Sequence, residues 1–510
     1  MKKILSVLLV LVFVFGMVAC NGPGPADTKD TDTDEPVDIL DTLDYHGETF
    51  TVHTSTNVFN SAFVSSNYLI QGSDEVEADK AAACALTRNQ KVESELNIRL
   101  SFLESDYPFY EAVANTRNLI KSGADDIDLI INDICIINLC TEGLLLDASY
   151  GRYFNFEKKY WYDDMMSSAS LNTNTRYMLA GDYFIDIIRD THCLLMNKDY
   201  YAEIGCDPES IYQIVRDGDW TLDTLYTIVK GGEDGTHPTY QDYQGNHKRD
   251  RRDKWGLVLW QWWGPMIPFL STSDPGYITR DEDGYPEITV NNERSVMMCE
   301  KLTSLFNADE TAVGIHNDMQ DTIECFVEGK ILFLTCQRLG SLESEVYANA
   351  DLNFAVLPYP KLDEYQTNYI SSVNDTTEMG FIPSTVSFST LDFISAVLEK
   401  MSQETEEIVI PKYYESTLKI RYARESANAE MIQLIHDTHG NTFPLIWSLG
   451  DNGSIFTMGF YNSISKNQSV FASFYRSGEN SAKTMLDDLI AKDREVREDM
   501  EYQFRQYNKN

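Results

Sequence analysis

The sequence predicts an α/β protein of two domains. Strand-like and helix-like segments alternate from residue 47 onward, which is the arrangement of βαβ units and of a largely parallel sheet. One predicted strand, IDLIIND at residues 127–133, is apolar almost throughout, as strands buried on both faces are. The chain of 510 residues is also longer than one compact core usually supports, so two domains are expected.

The chain begins with an export signal. Lys2 and Lys3 precede an apolar run too short to span a bilayer, and small residues follow it, so residues 1–19 are predicted to be a signal peptide. The segment MVAC, which ends at Cys20, resembles a bacterial lipobox, whose cysteine carries a lipid anchor. An ordinary signal peptide with a chance cysteine is the alternative. Residues 20–44, rich in Gly, Pro, Thr and Asp at their start, are predicted to form a lipid-anchored disordered linker.

A first α/β unit follows the linker. Alternation of apolar and polar residues predicts its strands, and helical periodicity predicts the helices between them. In such open sheets, ligands bind at the carboxyl ends of strands, where Asn57 and Asp133 lie. The predicted elements are strand 47–56, helix 75–96, strand 97–105, helix 107–121 and strand 127–133.

A second α/β block occupies the middle of the chain, and the C-terminal part is predicted to be mostly helical. Thr221 is the expected N-cap of one helix, and Asp283-Gly284 is the expected turn of a hairpin. The predicted elements are strands leading into a helix at 176–205, a helix at 217–232, a hairpin at 278–290, helices at 291–306 and 319–328, strands at 330–340, 351–361 and 379–385, a helix at 391–401, and helices from 423 to the end.

Charge excludes several classes of partner. The formal net charge is −39, and it becomes −41 when Lys2 and Lys3 leave with the signal peptide. Binding to nucleic acid depends on Lys and Arg that neutralise phosphates, so no nucleic-acid partner is expected. The same charge argues against docking on anionic lipid, which leaves the N-terminal lipid as the expected membrane contact.

Eight cysteines remain besides Cys20. An even number in an exported protein permits disulfides. The cysteines are scattered, however, and several lie inside apolar stretches such as DICIINLC at residues 133–140, which is typical of free buried thiols. Both interpretations stay open at the level of the sequence.

Motifs of catalysis, cofactor binding or metal binding do not stand out. The sequence contains no G-x-S-x-G, P-loop or G-x-G-x-x-G segment. His436 and His439 lie three residues apart in IHDTHG, which could begin a zinc site, but nothing nearby supplies the glutamate of an H-E-x-x-H motif, and a solvated helix end is predicted. We therefore expect no enzymatic activity, no cofactor and no metal.

The stretch KWGLVLWQWWGPMIP, residues 254–268, holds four of the seven tryptophans. Pro265 and Pro268 favour an irregular loop beside a cleft over a central strand. Trp260, Trp262 and Trp263 are accordingly predicted to offer an aromatic shelf on which a sugar ring can stack. Packing in the core is the alternative for each indole.

Several stretches together resemble a known family. They occur in the family's order between residues 48 and 400 and read KVESELNIRLSF, DDIDLIIND, TEGLLLDAS, LLMNKDYYAEIGCDP, WTLDTL, FVEGKILFLTCQRLG, FAVLPYPK and MGFIPST. In this order, and behind a lipobox, they resemble the extracellular solute-binding proteins of ATP-driven importers, in the sugar-binding group (family 1) that includes maltose-binding protein. Met196 departs from the family's usual tyrosine, and residues 232–253 form an insert without an assigned place.

The resemblance implies a two-lobed periplasmic-binding-protein-like fold of type II, with a hinge that the chain crosses more than once. The expected first lobe comprises residues 48–188 and 354–388, and the second comprises residues 191–350 and 391–505. Ligand is then expected in the cleft between the lobes, which close on it. Asp190, which lies between the lobes in this division, joins Asn57 and Asp133 as an expected polar partner of the tryptophans.

The expected function is that of a monomeric cell-surface receptor, exported and lipid-anchored to the outer face of the membrane. It would capture a small-molecule ligand, expected to be a carbohydrate or oligosaccharide, and deliver it to the permease subunits of an ABC importer. The alternatives are an extracellular carbohydrate-active enzyme, and a surface adhesin or sensor that has no importer partner.

Overall fold

The computed structural model describes residues 38–55, 70–74, 80–348, 351–414, 426–451 and 453–509. The predicted signal peptide at residues 1–19, Cys20 and Asn57 lie outside these ranges. The strands of the described chain are β1 (Glu48–Ser55), β2 (Ile98–Ser105), β3 (Leu129–Asp133), β4 (His192–Asn197), β5 (Trp255–Leu259), β6 (Ile278–Arg280), β7 (Pro286–Ile288), β8 (Thr311–Val313), β9 (Ile331–Arg338), β10 (Phe354–Leu357) and β11 (Glu378–Phe381).

Helices surround the strands. The α-helices are α1 (Lys80–Leu96), α2 (Ala112–Lys121), α3 (Asp163–Ala169), α4 (Asp186–Arg189), α5 (Lys198–Glu203), α6 (Ser210–Arg216), α7 (Leu222–Val229), α8 (Trp263–Thr272), α9 (Glu293–Phe306), α10 (Met319–Val327), α11 (Glu345–Ala348), α12 (Phe388–Glu404), α13 (Ile410–Tyr413), α14 (Ser426–His436), α15 (Phe443–Ile446), α16 (Met458–Lys466) and α17 (Phe471–Tyr507). Shorter 3-10 helices span Ile39–Thr42, Phe109–Glu111, Ile134–Glu142, Ala148–Tyr150 and Leu339–Glu343, and a π-helical turn spans Thr405–Val409.

The first sheet has the strand order β11-β3-β1-β2. Its strands β1, β2 and β3 are parallel, and β11 runs antiparallel to β3. Every residue of β3 is buried, which confirms the prediction of a strand covered on both faces. Phe50 and Val52 of β1 are also fully buried.

The second sheet has the strand order β10-β4-β9-β5-β8. Strands β5, β8 and β9 are parallel, while β4 runs antiparallel to both of its neighbours. The predicted N-cap of α7 is confirmed, because Thr221 Oγ1 accepts a hydrogen bond of 3.3 Å from the backbone N–H of Thr224. The predicted hairpin is confirmed as β6 and β7, which pair as a separate ladder.

The chain passes between the two sheets through segments that lie side by side. One segment leaves α4 and enters β4, and a second leaves β10 and enters β11. Thr191 of the first forms an antiparallel bridge with Val373 of the second. Ser371 forms a parallel bridge with His439, which belongs to a third segment that follows α14. We call residues 190–192, 371–374 and 438–440 the hinge region.

Two segments lie with a different sheet from the one expected. Strand β10, placed in the first lobe from the sequence, is an edge strand of the second sheet. Helix α12, whose larger part was placed in the second lobe, packs on the first sheet, where the ring of Phe393 lies 4.8 Å from that of Tyr45 and 6.0 Å from that of Phe50. The periodicity of a segment shows that it is a strand or helix, but not which partner it meets, so both assignments were wrong.

Some residues of the predicted linker belong to the fold. Leu40, within the predicted linker, is buried. The side chain of Lys400 pairs with Asp41 over 2.9 Å, and Gln403 Nε2 donates a hydrogen bond of 3.0 Å to Asp38. Residues 38–44 are therefore part of the fold and not of a disordered linker, since one buried leucine and these polar contacts hold them on α12.

One segment expected to form strands is irregular, and the cysteines are free thiols. Residues 176–185, which begin the segment expected to form strands, are irregular and lead into the short helix α4. The eight cysteines of the described chain are all free, which agrees with buried thiols and not with a disulfide framework.

Among the residues described here, none of the helices is both long enough and apolar enough to span a bilayer.

Candidate functional site

The carboxyl ends of the parallel strands in both sheets face the hinge region. The second crossing segment enters β11 at Glu378, which pairs with Asp133 at the end of β3. The first crossing segment enters β4 at His192, which pairs with Arg338 at the end of β9. Ligands of open α/β sheets bind at such strand ends. We call Asp133, Asp190, Trp260, Cys336, Arg338 and Asp375, which gather here, the cleft cluster.

Asp190 and Arg338 form an ion pair at this edge. The guanidinium of Arg338 donates to Asp190 Oδ1 over 2.8 Å, and both side chains are largely buried. Burial raises the pKa of Asp190, and the charge of Arg338 opposes that rise. The sequence identified Asp190 but missed Arg338, although Arg338 stands at a strand end and could have been found by the rule that identified Asp133.

Asp133 lies at the end of β3 and caps the following 3-10 helix. Its Oδ1 accepts a hydrogen bond of 2.8 Å from the backbone N–H of Cys135. Burial raises the pKa of Asp133 to about 6, and the negative charge of Asp375 adds to this rise. The buried carboxyl thus has a clear structural role, and it also lies within electrostatic range of Asp375, which follows the hinge region.

Asp375 links the two sheets electrostatically. It belongs to the loop between the hinge region and β11, it is half-buried, and its charge acts on Asp133 of the first sheet and on Cys336 of the second. Burial raises the pKa of Asp375, while Arg338 opposes the rise. Nothing in the sequence around Asp375 distinguishes it from the other acidic loop residues.

Cys336 occupies a β-bulge in β9. Its φ of 58° lies in the left-handed region, where residues with a side chain are uncommon, and its backbone N–H donates a hydrogen bond of 2.8 Å to the Tyr359 hydroxyl. The pairing of β9 with β4 shifts register at the same place. Such conformations cost on the order of 1–3 kcal/mol and cluster at ligand sites. Burial raises the pKa of the Cys336 thiol to about 11.

The tryptophan stretch is not a loop. Residues 255–259 form β5, which lies inside the second sheet between β9 and β8, and helix α8 starts at Trp263. The expectation was wrong because β5 ends before the prolines. Pro265 lies in the first turn of α8, where the missing N–H is tolerated. Pro268 lies within α8.

The indoles of this stretch have different surroundings. Trp260 is half-buried at the end of β5 and adjoins Cys336, whose thiol it contacts. The ring of Trp262 lies 6.5 Å from that of Phe306 in α9. Trp263 is 37% exposed, and its ring lies 5.4 Å from that of Tyr461. Trp260 therefore joins Asp133 and Asp190 in the cleft cluster, while Trp262 and Trp263 contact helices.

His436 and His439 are buried, so the predicted solvated helix end was wrong. The Nε2 of His436 lies 3.0 Å from Asp182 Oδ1. Burial lowers the pKa of His436, but the interaction with the Asp182 carboxylate outweighs this effect and raises the pKa to about 10. His439 stacks on the Tyr162 ring at 4.3 Å and shares a hydrogen bond of 2.7 Å with the Thr191 hydroxyl. The two histidines support the hinge region by side-chain contacts that periodicity does not reveal.

Three cavities of about 600, 290 and 750 Å³ lie outside the cleft cluster, and the second is lined in part by His439 of the hinge region. Acidic and basic side chains around Lys400 line the first cavity. Aromatic side chains around Trp161 and Tyr162, together with charged ones, line the second. The third is lined by α17 and residues 384–389. None of the three is lined by a member of the cleft cluster. One group of potential metal ligands in the described chain, His316, Asp321 and Cys325, also lies outside this cluster.

No protein-family model matches the chain, and no curated protein matches its sequence. Solved structures do match. An uncharacterised protein from Listeria monocytogenes EGD-e aligns with a TM-score of 0.52 and 9% identity, over 88% of this chain and 99% of that one. A cyclo/maltodextrin-binding protein complexed with maltotetraose aligns with a TM-score of 0.50 and 13% identity, over 88% of this chain and 98% of that one. The chain thus has the two-lobed α/β fold of these proteins.

Proposed function

We propose that the protein is an exported, lipid-anchored solute-binding protein that captures a carbohydrate between its two sheets and delivers it to an ABC importer. The observation that carries the proposal is the cleft cluster at the hinge region. One sheet supplies Asp133, the other supplies Trp260 and Arg338, and the crossing segments supply Asp190 and Asp375. A ligand that contacts groups on both sides favours the closed arrangement of the lobes by its differential affinity.

The chemistry of the cluster suits a neutral polar ligand with apolar faces. The indole of Trp260 offers a flat apolar surface, and the carboxylates accept hydrogen bonds from hydroxyl groups, while the Arg338 guanidinium donates them. A few polar groups placed around an apolar surface are typical of small-molecule sites. The pairing of Arg338 with Asp190 leaves no excess of positive charge here, which disfavours an anionic ligand.

The fold likeness to a cyclo/maltodextrin-binding protein complexed with maltotetraose supports an oligosaccharide as the first ligand to test. Anchoring through Cys20 would hold the protein at the outer face of the membrane, close to permease subunits. The net charge of −39 supports a soluble body that stays off anionic lipid.

The direct test is calorimetric titration with a panel of linear and cyclic oligosaccharides, peptides and polyamines. We expect heat of binding and one site per chain with an oligosaccharide, and recovery of that sugar intact by chromatography. Binding of a peptide or polyamine alone would contradict the carbohydrate proposal. Absence of binding with every class would contradict the receptor itself.

A carbohydrate-active enzyme is the second candidate, and one observation favours it. Burial holds the pKa of Asp133 at about 6, which is the property of a general acid, and Asp375 supplies a second carboxyl in electrostatic range. The recovery experiment separates the two functions. Shortened products that accumulate with time and disappear in an Asp133→Asn variant would establish the enzyme.

A further inference from the structure

A buried group of three side chains lies beside the second sheet, away from the hinge region. His316 follows β8, while Asp321 and Cys325 lie one turn apart on α10. Each residue offers one ligand atom, and the three atoms lie within 4.8 Å of one another. Residues i and i+4 of a helix face the same side, so the positions of Asp321 and Cys325 on α10 bring both side chains toward His316.

The spacing of His316 and Asp321 fits a shared metal ion better than a hydrogen bond. The Nδ1 of His316 lies 3.6 Å from Asp321 Oδ2, which exceeds the length of a hydrogen bond. Two ligand atoms on a tetrahedral zinc ion, with bonds of about 2.0–2.2 Å, lie roughly 3.4 Å apart. The two side chains therefore already stand close to the separation that zinc requires.

His316 supplies a second, independent observation. The residue is 6% exposed, and neither of its ring nitrogens has a hydrogen-bond partner among the described residues. Burial of a polar group without a partner is costly, so such groups in folded proteins generally have a partner that explains them. A metal ion bound to one ring nitrogen would supply that partner.

The surroundings leave one oxygen of Asp321 available. Arg251 pairs with Oδ1 of this carboxylate, whereas Oδ2 faces His316 and accepts a hydrogen bond of 3.1 Å from the backbone N–H of Asn317. Arg251 also contacts the third ligand through its backbone, because the Cys325 thiol lies 3.9 Å from the Arg251 carbonyl oxygen. These bonds orient the carboxylate, as hydrogen bonds around metal ligands commonly do.

We propose that His316, Asp321 and Cys325 bind a divalent metal ion of the zinc class. A thiolate, an imidazole and a carboxylate together suit zinc and its neighbours in the transition series, whereas calcium and magnesium require oxygen ligands. Three protein ligands leave a fourth position for water. Because Arg251 belongs to the insert 232–253 and pairs with Asp321, the ion would lie where this insert meets α10.

Cobalt replaces zinc in the test because its spectrum reports the ligands. Adding Co²⁺ to the chelator-treated full chain is expected to produce visible ligand-field bands and a thiolate-to-cobalt charge-transfer band, with one ion per chain. Zn²⁺ is then expected to displace cobalt and to raise the melting temperature, since a ligand of the folded state stabilises it. A wild-type protein without the charge-transfer band overturns the proposal, and this result depends on no variant.

Matched variants assign the ligands. Cys325→Ser is expected to abolish the charge-transfer band and to weaken zinc binding by about 10-fold or more. Cys206→Ser removes a half-buried thiol outside the proposed metal site, and it is expected to leave the charge-transfer band and the zinc affinity unchanged. Persistence of the band in Cys325→Ser overturns the site. If circular dichroism shows that Cys325→Ser does not fold, the zinc affinity of His316→Gln is measured instead. An affinity equal to that of the wild type overturns the proposal.

Discussion

The guanidinium of Arg338, at the end of β9, lies 2.8 Å from the carboxylate of Asp190, at the entrance to β4. Asp190 is also part of the hinge region, since its carbonyl oxygen accepts a hydrogen bond of 3.2 Å from the backbone N–H of Asn374 in the neighbouring crossing segment. The ion pair therefore joins a central strand of the second sheet to two of the segments that connect the sheets.

Removing the acid of this pair is expected to destabilise the protein. Asp190→Ala should lower the free energy of unfolding by about 3 kcal/mol, because it removes the carboxylate that compensates a largely buried guanidinium. Denaturation in urea measures the change. Asp223→Ala is the matched control, since it breaks an ion pair with Lys301 whose acid is well exposed, and its effect should be within about 1 kcal/mol. Equal losses in the two variants would contradict the structural role of Asp190.

The three tryptophans are expected to respond differently to truncation. Trp260→Ala should weaken oligosaccharide binding by roughly 30-fold, or about 2 kcal/mol, because the indole lies in the cleft cluster. Trp262→Ala should lower stability by about 3 kcal/mol with affinity retained, because its ring packs toward Phe306. Trp263→Ala is the matched control at an exposed indole. Melting temperature and calorimetric affinity distinguish these outcomes, and unchanged affinity of folded Trp260→Ala would remove Trp260 from the site.

His436 is expected to make stability depend on pH in the alkaline range. Its Nε2 lies 3.0 Å from Asp182 and its Nδ1 lies 2.8 Å from Asp437, while Tyr162 and His439 pack beside it. Burial alone would lower its pKa, but the carboxylates raise it to about 10. The charged imidazolium therefore stabilises the fold fully below about pH 6.5, the pKa of an unfolded histidine, and this contribution is lost as the pH rises toward 10.

A variant isolates this contribution. His436→Gln should reduce the free energy of unfolding at pH 6 by on the order of 3 kcal/mol, because it removes one partner of a buried ion pair. The difference from the wild type should shrink between pH 6.5 and pH 10. Urea denaturation at several pH values provides the measurement, and a difference that grows with pH would show that His436 is neutral in the folded protein.

Cys20 is expected to anchor the protein. Cys20→Ser should release it into the medium or leave it unprocessed, because the lipid-bearing residue is lost. Fractionation of cells expressing the protein measures its location. Cys84→Ser, which changes a cysteine within the fold, should leave the protein on the membrane. A processed and membrane-bound Cys20→Ser protein would place the anchor elsewhere.

Ligand is expected to contract the molecule. Small-angle scattering should give a smaller radius of gyration with a saturating oligosaccharide than without it, because bound ligand favours the closed lobes. A sugar that shows no heat of binding serves as the control. An unchanged radius with several ligands that do bind would exclude closure about the hinge region.

Periodicity was sufficient for local structure in most of the chain. The strand at Leu129–Asp133, the hairpin of β6 and β7, and the helix capped by Thr221 were all predictable, because alternation, turn residues and caps act over a few neighbouring residues. Periodicity was not sufficient for residues 176–185, where apolar composition arises from burial and not from a strand.

The candidate site was predictable only in part. Asp133 and Asp190 follow from strand ends and from the division between lobes, whereas Arg338 and Asp375 join them through contacts between distant segments. Among neighbouring tryptophans, composition alone gave no means to separate Trp260 from Trp262 and Trp263, because the direction of each indole depends on where β5 ends and α8 begins.

The sequence by itself determined that this is a strongly acidic α/β chain whose first twenty residues resemble a signal peptide with a lipobox, since these properties depend on composition and short-range order. The tertiary structure alone decided that β10 belongs to the second sheet, that α12 covers the first, and that His316 meets Cys325 beside the insert. The physical reason is that burial and pairing are properties of surfaces brought together from distant parts of the chain, and a linear pattern specifies the surface but not its partner.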